Sequence, residues 1–562
     1  MKGKLNFPEW KNWLIVLIFM GVFIFPRVFS LGTYATADEP AYLRSSGSFY
    51  YLLKEGRFAE TDLIIHPGVI NLWAGALGYY TTLPEYAEHP LAQYPISDLH
   101  FRQIIERSGH VQMELLAISR AMTVLIQALI LGAALFYGLR VLGRWPAVIG
   151  FSLICFDPFY FANSRILQPD GILAASILLS VLAYLDYLKT GKRSSLLVSG
   201  AAAGLGWLSK LVGIVLGPMI LGVGGYAWWR NHRGDRRKAF VLFRDLALWL
   251  VIALIVFAAL WPVMWVEPIT TLVANFKQTF LLSSEVNSPM FFNGRLNQEG
   301  EFGLGYFYYY LVAIYNYTTP LILFGLGLLG VFWRGRKASE QEKLSFAAVG
   351  LSIVLLIFLT VMTFSSKKAE RYVVTAFILL DLLAGVGYWF LVNKVLTAYP
   401  RVRSWAAAGG MVVIIGLQAL LVLNTAPYYH SYFNPMRGSS ERFSQQFQVG
   451  WGEGLDEAAR YLNEQEGIKG KTVFTWYSAT FDLFYNQRSI EFHIPPTLLD
   501  VQFEEIMTGD YAIVYISQWQ RQPETKLIQF LIDKEPEYTV NINGFEYVKV
   551  YNLNTLRAEP GD

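Results

Sequence analysis

Apolar runs of roughly 20 residues, the length an α-helix needs to cross about 30 Å of hydrocarbon, recur along the chain. They fall near 12–31, 116–139, 145–163, 169–188, 195–210, 211–229, 246–266, 305–333, 344–364, 372–393 and 404–424. The pattern predicts a polytopic α-helical membrane protein with about 11 transmembrane helices, because a backbone without water around it must satisfy its own N–H and C=O groups. The hydrophilic gaps alternate in basic content. Lys2, Lys4 and Lys11 precede the first run, and Arg140 with Arg144, Lys189 to Arg193, Arg230 to Lys238, Arg334 to Lys343 and Lys394 to Arg403 fill every second gap. By the positive-inside rule these gaps are cytoplasmic. That places the protein in the plasma membrane with a cytoplasmic N-terminus, an uncleaved first span, and the segment after the last run outside.

The same pattern divides the chain into a membrane domain over 1–425 and an extracytoplasmic α/β domain over 426–562. Within the first, residues 32–115 form a long outer loop, where AYLRSSGSFYYLLKEG and GVINLWAGALGYY read as amphipathic helices for the membrane interface. Beyond 425 the periodicity changes. GLDEAARYLNEQ reads as an amphipathic helix, KTVFTWY and DYAIVYIS as strands, and EYTVNINGFEYVKVYNL as a hairpin turning at Asn543-Gly544.

Composition sharpens this picture. With 54% hydrophobic and only 16% charged residues and a mean hydropathy of +0.35, lipid is the solvent. A net charge of +3 gives no reason to expect a nucleic-acid partner. The single cysteine, Cys155, lies in an apolar run and reads as packing; it can build neither a disulfide framework nor a thiolate metal site. No Walker A sequence, Rossmann glycine fingerprint, HExxH or GxSxG is present, so nucleotide hydrolysis, redox chemistry, zinc proteolysis and serine hydrolysis lack support.

Chemistry-bearing residues gather in the outer segments. ADEPAY, just past the first run, sets Asp38 and Glu39 side by side with Tyr42 following. Such acids are often solvated loop residues. Alternatively, one deprotonates an acceptor hydroxyl while the other orients it or holds a divalent cation, Mg or Mn, with Glu39 as the metal ligand. IIHPGVINLW places His66 at a turn before a helix, where His-Pro is commonly a helix-start signal. FDPFYFANSRILQPDGIL brings Arg165 and Asp170 to the same surface, Asp170 also suiting the start of a helix. Lys210, in GLGWLSKLVG, is costly between apolar runs unless it meets water or an anion. TFSSKKAERYVV groups Lys367, Lys368 and Arg371 on the outer side, against the positive-inside tendency. Cations kept there suit an anion at membrane depth, a lipid phosphate.

Asp38-Glu39-x-x-Tyr42, HPG in the first loop, NSRILQPD, GLGWLSK and KKAERYVV, taken in this order, resemble the GT-C membrane glycosyltransferases. The likeness is to the family 39 group of protein O-mannosyltransferases and aminoarabinose transferases, over roughly residues 10–430. It implies a GT-C fold and inverting transfer of a monosaccharide, mannose or similar, from a polyprenyl-phosphate donor to a hydroxyl of a protein, lipid or glycan acceptor. By the same resemblance Asp38 is the general base, with Glu39 and Asp170 assisting catalysis. Arg165, Lys210, Lys368 and Arg371 cradle the donor phosphate and His66 contacts donor or acceptor; beside them, the residue reading adds Lys367 to the phosphate-binding cations and Tyr42 to the substrate-binding residues. HPG stands where relatives commonly show HPP, and no large β-trefoil module interrupts the late runs. A transporter or flippase of a lipid-linked sugar would also need cations near a lipid phosphate, and a membrane scaffold with the tail as binding module is a third reading; neither needs a general base at Asp38.

Overall fold

A computed structural model describes residues 9–64, 67–284, 290–297, 305–333, 339–365, 367–398, 405–493 and 496–558. Each apolar run is helical: Glu9–Arg27, Gln112–Val141, Arg144–Cys155, Pro169–Thr190, Arg193–Ser209, Leu216–His232, Arg236–Leu260, Gly305–Tyr317 with Pro320–Trp333, Ser339–Phe364, Val374–Ala398 and Trp405–Leu423. Among the described residues, seven helices are long and apolar enough to cross a membrane, and a bent pair makes an eighth. The protein is thus a multi-span membrane protein.

Two runs depart from straight spans for local reasons. Run 305–333 bends by 113° between Phe307–Tyr317 and Pro320–Phe332. Pro320 has no N–H to continue the helical ladder and disfavours helical geometry in the residue before it. Run 145–163 stops at Cys155. Asp157 then accepts a hydrogen bond from the Tyr160 N–H at 2.6 Å and, with Pro158, opens a separate short helix, Pro158–Asn163.

The bundle is layered by burial. In Pro169–Thr190 and Glu370–Leu396, 89% of the apolar window is covered by protein, against 22% in Trp10–Arg27 and Arg236–Leu260, so the first two are central and the others face lipid. Central helices approach closely through small residues: a Cβ on Gly385 would sit 2.6 Å from the Gly150 Cα. Cys155 is buried in this core. Its carbonyl accepts a hydrogen bond from buried Arg27 (3.0 Å), whose Nε donates to Ser164 (2.6 Å), tying the end of the first helix to the central ones.

Between the first two spans the chain forms helices Glu39–Lys54, Val69–Thr82 and Asp98–Arg107, so both amphipathic stretches are helical. A short hairpin, β1 (Met290–Phe292) and β2 (Arg295–Asn297), precedes the bent pair. After the last apolar helix comes helix Leu455–Asn463 and a five-stranded sheet of β3 (Val473–Thr475), β4 (Ile490–Glu491), β5 (Tyr511–Tyr515), β6 (Tyr538–Ile542) and β7 (Phe545–Asn552). Its order is β4-β3-β5-β7-β6, with β4, β3 and β5 parallel and β7 antiparallel to both β5 and β6. Asn543 and Gly544, at φ +50° and +81°, make the two-residue turn expected of the Asn-Gly signal. Phe447 stacks on Tyr309, and Phe443 and Phe447 both pack edge-on to Tyr317, so the apolar core runs from bundle into tail without a break.

Candidate active site

Four chain segments meet at one end of the bundle. Asp38 occupies the N-cap position of helix Glu39–Lys54, but its carboxylate makes no cap bond. It faces outward instead, 41% exposed, and meets Arg371 Nη2 at 3.2 Å. Arg371 stands in a one-turn 3₁₀ segment, Glu370–Val373, that opens a central helix. The next residue, Tyr372, receives the Lys210 ammonium over its ring at 4.2 Å, and Lys210 pairs with Asp170 at 2.9 Å. Asp170 lies in the first turn of Pro169–Thr190, where the helix dipole favours an anion. Lys210 is extended between helix Arg193–Ser209 and the turn Leu211–Val215. A continuous line therefore runs Asp38, Arg371, Tyr372, Lys210, Asp170. Buried Tyr42 lies against it: burial, then the charges of Asp38 and Asp170, raise its phenol above the ordinary range. The loop of the HPG motif docks here too, Gly68 donating its N–H to the Ser209 carbonyl at 3.2 Å. His66 itself lies outside the described residues.

Glu39 is a different matter from its neighbour. It points inward and is fully buried. Oε1 accepts from Arg120 Nε (2.7 Å) and the Leu167 N–H (2.8 Å), and Oε2 from Arg120 Nη2 (2.5 Å), the Thr36 N–H (2.8 Å) and the Thr36 hydroxyl (3.0 Å). Burial alone would raise its carboxyl, but Arg120 and these hydrogen bonds outweigh it and hold Glu39 below the ordinary range. The expectation that Glu39 orients an acceptor or ligates a metal is corrected by this geometry, because both oxygens are already saturated by protein donors. No group of three or more His, Cys, Asp or Glu that could hold a metal occurs among the described residues. The donor set thus does not fit Mg or Mn at Glu39.

The expected phosphate-binding cations divide as well. Arg371 and Lys210 belong to the line above. Lys368 turns back, donating to the Met362 (3.1 Å) and Thr363 (2.6 Å) carbonyls at the end of helix Ser339–Phe364; burial lowers its ammonium to about 8. Lys367 is exposed on the same turn. Arg165 is buried beneath the Asp38 loop, bonded to the Phe29 carbonyl and stacked over Tyr429 at 4.6 Å. Lys368 and Arg165 thus serve the scaffold around the site, and neither makes contact with Asp38 or Asp170.

The tail contributes residues that motif reading missed. Trp451 covers the Arg371 guanidinium at 4.2 Å, and its carbonyl accepts the Ala37 N–H at 2.8 Å. His430 packs edge-on to Trp451 and bonds Tyr34 through Nδ1 (3.0 Å), 3.8 Å from Glu453 Oε1. Burial lowers the His430 imidazole to about 3, and burial raises the Glu453 carboxyl. Arg120 did leave a signal: an arginine inside an apolar run is expensive and so must have a partner.

Residues 109–265 match the family model described as dolichyl-phosphate-mannose-protein mannosyltransferase. That segment includes Arg120, Arg165, Asp170 and Lys210, so the resemblance first read from short motifs is also carried by a family match. No curated protein matches the chain. Among solved structures it is similar to ArnT from Cupriavidus metallidurans bound to undecaprenyl phosphate, at 14% identity over 98% of this chain and 99% of that one, TM-score 0.47. It is similar also to the Archaeoglobus fulgidus oligosaccharyltransferase complexed with Zn and sulfate (11%, 96% and 73%, TM-score 0.49). The Saccharomyces cerevisiae protein O-mannosyltransferase Pmt1-Pmt2 complex bound to the sugar donor is a further likeness (17%, 46% and 34%, TM-score 0.33). The chemistry of the site rests on this chain's own residues.

Proposed function

We propose that this protein is a membrane glycosyltransferase that moves a monosaccharide, mannose or a similar sugar, from a polyprenyl phosphate to a hydroxyl of a protein, lipid or glycan, with inversion at the anomeric carbon. The observation that carries it is the line from Asp38 through Arg371, Tyr372 and Lys210 to Asp170. It sets one outward carboxylate beside two cations at an end of a membrane bundle, in a chain that matches a mannosyltransferase family model.

Asp38 accepts the proton of the acceptor hydroxyl as its oxygen attacks the anomeric carbon. The bond from that carbon to the phosphate oxygen breaks, and the polyprenyl phosphate leaves carrying the electron pair. Arg371 and Lys210 stabilise the charge that grows on the phosphate, where a poorly hydrated site strengthens each contact. Arg371 spends one N–H on Asp38, and the other N–H groups lie in the same plane for phosphate oxygens. Asp170 holds Lys210 in place. Glu39, committed to Arg120, takes no direct part in the step. The alternation of basic loops supports a site at the outer leaflet and a tail outside the cell.

The test is transfer of radiolabelled sugar from synthetic polyprenyl-phosphate mannose to membrane extracts by purified protein, wild type against Asp38→Asn, with and without EDTA. Label moved by wild type in both conditions and not by the variant is the expected result. Binding or flipping of the donor by both proteins, with transfer by neither from this or other sugar donors, would overturn the reading in favour of a lipid-linked-sugar transporter.

A further inference from the structure

We infer that Trp451 of the tail is a positioning residue for the Asp38–Arg371 pair, setting the plane in which Arg371 meets a lipid phosphate; the inference rests on the function proposed above. One residue of the tail holds both members of the pair. Its indole lies 4.2 Å from the Arg371 guanidinium, and its carbonyl accepts the N–H of Ala37, the residue before Asp38. A guanidinium donates only within its own plane. A ring 4.2 Å from the guanidinium carbon therefore restricts how that plane can turn without using any N–H, and among the described residues the guanidinium's one hydrogen bond is to Asp38.

Trp451 is itself held. Its N–H donates to Glu453 Oε2 at 2.7 Å, and the Gly452 N–H donates to the Tyr515 hydroxyl (2.7 Å), which donates to the same carboxylate oxygen at 3.0 Å. The loop VGWGEG needs its glycines for this. Gly450, Gly452 and Gly454 stand at φ +95°, +124° and +83°, and a Cβ on Gly452 would lie 2.4 Å from the Ala35 carbonyl oxygen. His430 packs edge-on against the indole at 5.6 Å. The tail thus reaches Arg371 through an aromatic side chain whose neighbouring backbone is pinned by Tyr515, in the core of the tail sheet.

A binding cycle with a synthetic polyprenyl phosphate on the purified full chain tests this, using Trp451→Leu, Arg371→Lys and the double variant, with transfer measured in parallel. Leucine keeps apolar bulk and lacks the ring quadrupole, and Trp451→Phe restores a ring. We expect Trp451→Leu to weaken binding about tenfold, the worth of a well-placed cation–π contact, and Trp451→Phe to recover most of it. In the Arg371→Lys background, Trp451→Leu should cost less than about twofold, since an ammonium has no donor plane for the ring to set. Independent, multiplying losses, or a phenylalanine variant as weak as the leucine one, would overturn the role. A wild type that shows this coupling in binding but transfers no sugar would remove the transferase reading and leave the positioning role standing.

Discussion

Two layers lie on either side of the turn that starts helix Glu39–Lys54. In the outer layer Asp38 keeps one 3.2 Å contact and 41% exposure; in the inner layer Glu39, one residue on, is fully buried under five hydrogen bonds. Adjacent residues on a helix point about 100° apart, which here separates a carboxylate free to exchange partners from one that cannot. A general base needs the first condition. A loop fixed against a membrane bundle needs the second.

Variants that exchange the two conditions test the contrast. The largest effect is expected from Asp38→Asn: transfer slowed about 10²- to 10⁴-fold with donor affinity and melting temperature near wild type, read from initial rates and a thermal melt in detergent. The inner layer should answer oppositely. Arg120→Met strands a buried carboxylate and should cost roughly 3–5 kcal/mol of stability, seen as a large drop in melting temperature and yield; an unchanged melt would show that Glu39 does not anchor the loop. Lys210→Met should act between these extremes, leaving Asp170 without its cation, raising the KM for donor by about tenfold and lowering stability modestly. Loss of kcat with unchanged KM would remove Lys210 from phosphate binding.

At neutral pH the effect of His430 vanishes, and it grows only on acidification. His430 faces Tyr34, Trp451 and Glu453, with Glu39, Arg120, Arg165 and Arg371 nearby. Burial holds its imidazole down to about 3 in the folded state, against about 6.5 when unfolded. Between those values the unfolded chain binds the extra proton, so stability is independent of this group above pH ~6.5 and falls as pH drops, by about 2 kcal/mol at pH 5. His430→Gln should flatten the wild-type slope of melting temperature between pH 7 and 5. Equal slopes in the two proteins would place the proton elsewhere.

Much of this was legible in sequence because it depends on local pattern. The apolar runs became helices, the Asn543-Gly544 turn formed, and alternation of basic loops sent Asp38, Asp170, Lys210 and Arg371 to one end, where they meet. The rest depends on partners distant in the chain. Glu39 turned inward because Arg120, counted within an apolar run, was there to receive it. Lys368 went to carbonyls left open by the end of helix Ser339–Phe364, a need visible only once that end is placed. Trp451 lies in the tail, 80 residues along the chain from Arg371, and nothing local says that its ring rests there.

Synthesis runs in one direction, and the VGWGEG loop is made after every membrane helix. A nascent chain already inserted in the bilayer carries Asp38, Asp170, Lys210 and Arg371 but not the indole that covers Arg371. The contact between Trp451 and Arg371 is therefore the last part of this end of the bundle to form, and a ribosome-stalled or proteolytically clipped polypeptide would sit in the membrane with that guanidinium face bare.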